Sequence, residues 1–308
     1  MPPIIDSVST ILLVTLLGWA MKQTRFVSEE QWNGFEHICY QVFFPALIIH
    51  ALVKADLSSV PAVRFAGAII GAVVLTGALM LLAAPTVIRL TGMSRPAFSS
   101  VFQGAIRWNT FMAFGLVDRL YGPRGMTLIA IALAGIIPII NVASVMVLRS
   151  YCGTPGGRFN PLGLLRNPFI WSSGVGLLLN LTGLGLPGPV LAAVDITGRA
   201  SLAGALLLVG SGLRLADLGK PDAALIISSV VKLFVLPLLA AGLGHAFGLK
   251  GADLGVLVLC GAVPTASAAY ILSRQMGGDA PLMAAITTAQ TLASALTLPL
   301  MLLALAPG

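Results

Sequence analysis

From Met126 to Ile140 nearly every residue is apolar, and runs of this kind recur along the 308-residue chain. Such runs leave few folds open. In water they would have to be covered by polar surface, yet 57% of the residues are hydrophobic and only 9% are charged, against about a quarter charged in a soluble domain. The mean hydropathy of +0.96 points the same way. Lipid needs no polar exterior but offers no hydrogen bonds, so every backbone N–H and C=O must be paired inside the protein, which leaves helices or closed barrels. Barrel strands alternate apolar and polar residues over about 10 positions; the run from Met126 does not alternate. The sequence predicts an all-α integral membrane protein.

A crossing takes about 20 residues. Ten spans can be read on that scale: Ile4–Met21, Gly34–Val53, Phe65–Ile88, Pro96–Val117, Met126–Leu148, Pro168–Leu184, Val190–Leu213, Ala223–Phe247, Leu254–Leu272 and Leu282–Leu305. Short turns rich in glycine, proline and charge separate them, and the longest connection is Arg149–Asn167. Met1–Asp6 has no basic stretch, so the first span is read as retained rather than as a signal peptide. Lys22, Arg25, Arg89, Arg95, Arg149, Arg158, Arg166, Arg214, Lys220 and Arg274 fall in loops of one side, and Lys54, Arg64, Arg119, Arg124 and Lys250 in loops of the other. The richer side is expected to face the cytoplasm, which puts both termini outside it. Loop cations of this sort account for the net charge of +7. They form no stripe that could follow phosphates, so no nucleic-acid partner is expected.

Two segments echo one another. Leu116–Ile137 aligns without gaps on Ile271–Leu292, matching Arg119 with Arg274, Gly122 with Gly277 and Ala130 with Ala285. Each follows a Gly-Ala pair, Gly104-Ala105 and Gly261-Ala262, and Ala55-Asp56-Leu57 is echoed by Ala216-Asp217-Leu218. The order is the same in both halves. Residues 1–148 and 168–308 are therefore read as two five-helix repeats joined by a short loop, 149–167. Because five is odd, the repeats enter the membrane in opposite senses, the inverted-repeat organisation of many secondary transporters.

The chemistry is expected where the spans are poor helices. The fourth holds Arg107-Trp108-Asn109-Thr110, and the ninth Pro264-Thr265-Ala266-Ser267. Pro264 removes a backbone donor and clashes with the preceding turn, and Thr265 or Ser267 could satisfy the freed carbonyls or simply bond to their own helix. Broken helices in mid-bilayer expose positive N-terminal ends that favour anions. If the two breaks cross, Asn109, Thr265 and Ser267 converge. Arg107 is a mid-span charge, seldom kept on a lipid face; its fork suits a carboxylate, or it snorkels or pairs internally with an acid such as Asp118 or Glu36. Lys232, in the eighth span, reads equally as a proton-coupled or cation-replacing group and as a structural partner of an acid. Asn141 and Gln290 could line a path or join helices, the commoner fate. Asp195 and Arg199, four apart, can pair along one helix face.

His37 and His50 lack metal-ligand spacing, and the three cysteines, Cys39, Cys152 and Cys260, show neither disulfide nor metal spacing. No metal and no cofactor is expected. No P-loop, GxSxG or HExxH occurs in the sequence, which argues against an ATP-driven pump or an enzyme.

At Gln41-Val42-Phe43-Phe44-Pro45-Ala46-Leu47, Arg107-Trp108-Asn109, Asn167-Pro168, Lys232 to Pro237 and Pro264-Thr265-Ala266-Ser267, the sequence resembles the auxin efflux carrier family, which contains plant auxin exporters and bacterial dicarboxylate carriers. The resemblance covers essentially the whole chain. It implies ten transmembrane helices in two inverted five-helix repeats, with broken crossover helices in the fourth and ninth spans. It also implies an elevator-like alternating-access cycle and a mono- or dicarboxylate bound near the crossover. Asn109 and Pro264 correspond to the crossover positions, with Thr265 and Ser267 beside them; Ala268 stands where the family often has Asn. The short Arg149–Asn167 loop resembles the bacterial branch, hence the inner membrane. The expected function is secondary transport of a small organic anion, with Asn109, Arg107, Pro264, Thr265 and Ser267 at the substrate. The rivals are a sodium-coupled organic-anion symporter of the bile-acid type and a non-transporting membrane sensor. Proton or sodium coupling and pairing as a homodimer stay open.

Overall fold

The structure, a computed structural model, describes residues 2–57, 60–153, 167–218, 222–266 and 268–306. Every regular element among them is helical: α1 (Pro2–Gln23), α2 (Glu29–Val53), α3 (Ala62–Thr91), α4 (Arg95–Ile106), α5 (Thr110–Cys152), α6 (Pro168–Thr182), α7 (Gly188–Ser211), α8 (Ala223–Ala246), α9 (Gly251–Ala262), α10 (Ala268–Gln275) and α11 (Ala280–Leu305), with a 3₁₀ turn at Leu215–Asp217. Seven stretches among the described residues are long and apolar enough to cross a membrane: α1, α2, α3, α7, α8, α11 and the run Arg95–Cys152 that contains α4 and α5. That run is not one rod. It breaks after α4, and α5 turns at Gly122, whose φ of 55° and ψ of −149° are not helical. Gly277, which the sequence echo matches to Gly122, also has positive φ, 74°.

Local chemistry sets the helix ends. Ser28 and Gln31 form a reciprocal capping box at the start of α2, satisfying two donors that a helix start leaves orphaned. Asn167 caps α6, accepting from Phe169 N–H, and α6 stops at Gly183 with φ 67°, a left-handed conformation that suits glycine. Ser94 caps α4, and Asp279 caps α11. Two prolines leave a shared signature. Pro45 follows a π-helical turn at Cys39–Phe43, and Pro237 follows another at Val231–Val235. A proline ring collides with the carbonyl four residues back, and widening the turn by one residue accommodates it.

Besides its apolar core, the protein exposes large apolar side chains and buries polar ones. Leu82, Leu90 and Leu296 are at least 78% exposed, whereas Gln103, Ser273, Thr288, Gln290 and Lys232 are wholly buried. Apolar groups outside and polar groups paired inside are what lipid as solvent demands.

Contacts divide the chain into two compact units: Met1–Ala66, Phe111–Ile137 and Asn160–Gly212; and Gly67–Thr110, Pro138–Phe159 and Leu213–Gly308. Each unit draws on both halves of the sequence. In the first, Phe44 stacks on Phe111 with ring centres 4.8 Å apart and leans on Phe114 and Phe169. There α1 and α7 meet backbone to backbone: a Cβ on Gly18 would lie 2.2 Å from Leu207 O, and one on Gly210 would lie 1.8 Å from Thr15 O. Small residues permit such approach between membrane helices. Asn180 ties α6 to the end of α2, its amide donating to Leu52 O at 2.9 Å and to Ala55 O at 2.7 Å. The second unit holds α3, α4 and α8–α11 together with both helix interruptions.

Candidate functional site

Within the second unit two helices stop short. α4 and α9 are twelve residues each, about 18 Å at 1.5 Å per residue, against a hydrocarbon core of about 30 Å. The backbone leaves the helix in nearly the same way at each end: Arg107 has φ −75° and ψ 150°, and Val263 has φ −62° and ψ 146°. Arg107 N–H still reaches Gln103 O, and Val263 N–H reaches Leu259 O. Beyond them the two interruptions touch, Asn109 N–H donating to Pro264 C=O at 2.7 Å. The C-termini of α4 and α9 lead into this bond, and in sequence α5 starts one residue after Asn109 and α10 four residues after Pro264.

The carbonyls at a helix C-terminus have no partner in their own helix. Two buried side chains supply partners. Gln290 of α11 donates to Gly104 O at 3.1 Å and to Ser228 Oγ at 3.3 Å, and its own Oε1 accepts from Thr265 N–H at 3.0 Å. One amide thus binds the end of α4 and the second interruption together. Lys232 of α8 donates to Gly261 O at 3.0 Å. The glycines are there because the helices are close. A Cβ on Gly104 would lie 2.2 Å from Ser228 Oγ, and one on Gly261 would lie 2.9 Å from Pro237 Cα.

Arg107 opens the first interruption and is only partly buried. Its Nη1 donates to Ser144 Oγ at 3.1 Å and its Nη2 to Asn141 Oδ1 at 3.0 Å. The bonds fix the guanidinium through neutral acceptors of α5, so they do not cancel its charge. Asn109 is buried, and Thr265 is fully so. The Thr265 hydroxyl meets no hydrogen-bond partner among the described residues. Such a buried orphan costs about 1–3 kcal/mol. Ser267 lies outside the described residues.

Of the residues singled out in the sequence, Arg107, Asn109, Pro264, Thr265, Gln290, Asn141 and Lys232 belong to this one neighbourhood of the second unit. Asp195 and Arg199 belong to the first unit, where Arg199 Nε donates to Asp195 Oδ1 at 2.9 Å and His50 Nδ1 stands 3.6 Å from the same oxygen. The sequence reading missed Ser144 and Ser228. Ser144 had a signal: it lies three residues after Asn141, a spacing that puts both on one helix face. Ser228 had none, because only packing brings it to Gly104.

Comparison with known proteins points to membrane transporters. Residues 157–302 match the family described as membrane transport protein. An uncharacterized transporter of Methanothermobacter thermautotrophicus is 25% identical over 302 residues, covering 96% of each chain. The uncharacterized transporter YfdV of Escherichia coli K12 is 22% identical over 274 residues, 85% of each chain. In these comparisons the chain is similar to transporters of the auxin efflux carrier family. Its long apolar helices make it a multi-pass membrane protein, and the proteins it matches are named as transporters.

Proposed function

We propose that the carrier is a secondary transporter for a small organic anion, a mono- or dicarboxylate, which it binds where the two helix interruptions cross. The observation that carries the proposal is the 2.7 Å bond from Asn109 N–H to Pro264 C=O, because it joins the two interruptions from which α5 and α10 start. Helix N-termini attract anions, and Arg107 adds a full charge with a geometry suited to carboxylate. Asn109, Thr265 and Ser267 are the proposed neutral contacts. Thr265 in particular brings a buried hydroxyl that meets no partner among the described residues.

The finer architecture belongs to the same proposal: ten spans, in two inverted five-helix repeats over residues 1–148 and 168–308. The equal lengths of α4 and α9, their matching exits from helical geometry, and the positive φ shared by Gly122 and Gly277 support it. An elevator cycle moves the part that holds the substrate, and the unit containing both interruptions is the candidate for that part. Loop charge supports an inner-membrane orientation with both termini outside the cytoplasm.

The test is flux into proteoliposomes of a panel of mono- and dicarboxylates, with wild type, Asn109→Ala and Arg107→Ala. Both variants are expected to lose most of the flux of every accepted anion. Unchanged flux in both would remove the crossing from the substrate site, and transport of neutral solutes alone would remove the anion.

A further inference from the structure

The C-terminus of α9 is the negative end of a helix dipole, and it lies at the second interruption. The group that meets it is an ammonium. Lys232 is wholly buried and donates to Gly261 O at 3.0 Å. Two backbone features put it there. The π-helical turn Val231–Val235, opened ahead of Pro237, contains Lys232, and Gly261 lets α9 approach until only its missing Cβ separates it from Pro237. Among the described residues no carboxylate pairs with Lys232. A charge taken out of water without a counter-charge is expensive, so the helix end is both its partner and its reason for being there.

In transporters built from broken helices, unwound carbonyls and half-helix C-termini are where coupling cations bind. We propose that Lys232 is a built-in cation: its ammonium holds the position at the second interruption that a coupling metal cation holds in sodium-driven carriers, so this carrier binds its anion and cycles without sodium. The proposal rests on the anion-carrier reading above. It gives the site a positive balance, with Lys232 neutralising the end of α9 while Arg107 and the N-termini of α5 and α10 face the anion.

Thermal unfolding of the purified protein tests this without a substrate. Wild type, Lys232→Ala and Lys232→Met are unfolded in chloride salts of sodium, lithium, methylammonium or choline. The wild-type midpoint should be the same in sodium and choline. Lys232→Ala, with room for a small cation beside Gly261 O, should be less stable in choline and regain a few degrees in methylammonium, lithium or sodium, as a ligand of the folded state does. Lys232→Met fills that room and should not respond. A wild type stabilised by sodium over choline overturns the proposal, as does a Lys232→Ala protein indifferent to every cation. If Lys232→Ala does not fold, the wild-type comparison and the same salt series on Lys232→Ser decide. A second arm measures uptake of labelled succinate and acetate by wild type in sodium or choline. Equal rates support the proposal and a sodium requirement overturns it. Absence of uptake of both counts against the anion reading, and the unfolding series still decides on Lys232.

Discussion

Gln290 makes three hydrogen bonds with one amide, and each goes to a different helix or interruption. Replacing it by Leu keeps the volume but orphans Gly104 O and Thr265 N–H, at about 1–3 kcal/mol for each buried group. Gln290→Leu should therefore lower the unfolding midpoint clearly in a thermal scan; an unchanged midpoint would mean that the amide does not hold the interruptions. Thr265 makes the opposite case. Its hydroxyl has no partner among the described residues, so Thr265→Val should leave stability unchanged or slightly raised while weakening carboxylate binding. Equal affinity in the two proteins, measured by calorimetry, would take Thr265 out of the site. Arg107 spans two acceptors with a planar fork, a geometry that lysine cannot reproduce. Arg107→Lys should cost about tenfold in apparent affinity, roughly 1.4 kcal/mol, with the fold intact.

At the scale of the element, glycine marks where helices touch, and the contacts rank the glycines. A Cβ on Gly210 would overlap Thr15 O, a backbone atom that cannot rotate away, whereas one on Gly242 or Gly174 meets nothing within 4 Å. Gly210→Ala should lower the yield of folded protein and its unfolding midpoint. Gly242→Ala and Gly174→Ala should be neutral or stabilising, by up to about 1 kcal/mol from helix propensity. The reverse ranking in a detergent-solubilised thermal scan would show that α1 and α7 do not pack as described. The elements were unevenly legible in the sequence. Pro264 announced the second interruption because it deletes a donor. The first, at Arg107–Asn109, contains no proline, and only its position and Asn109 hinted at it. The Gly-Ala pairs flagged both places for another reason: Gly104 and Gly261 are sites of close approach to α8, within the last turn of each helix.

For the whole molecule, the charge asymmetry of the loops yields a topology that can be checked directly. With both termini outside the cytoplasm, alkaline phosphatase fused after residue 308 should be active and a fluorescent protein fused there should be dark; the reverse pattern would invert the orientation. Alternating access should also be visible. In a background without Cys39, Cys152 and Cys260, a cysteine at Trp108, beside the crossing, should react with impermeant thiol reagents from either side of the membrane in turn, and saturating substrate should change the ratio.

Membrane insertion and helical class follow from the sequence by itself, because hydropathy and backbone hydrogen bonding are properties of local runs and lipid leaves only one arrangement for them. The residue types of the site were also visible there, since a mid-span Arg, Asn, Lys or Gln is conspicuous against leucine and alanine. Which of these groups bond to one another was decided only by tertiary structure. Arg107 donates to Asn141 and Ser144, Lys232 donates to a carbonyl, and Gln290 reaches Gly104, 186 positions away. A buried polar group takes whichever partner packing delivers, and packing at Gly104 and Gly261 depends on helices remote in the chain.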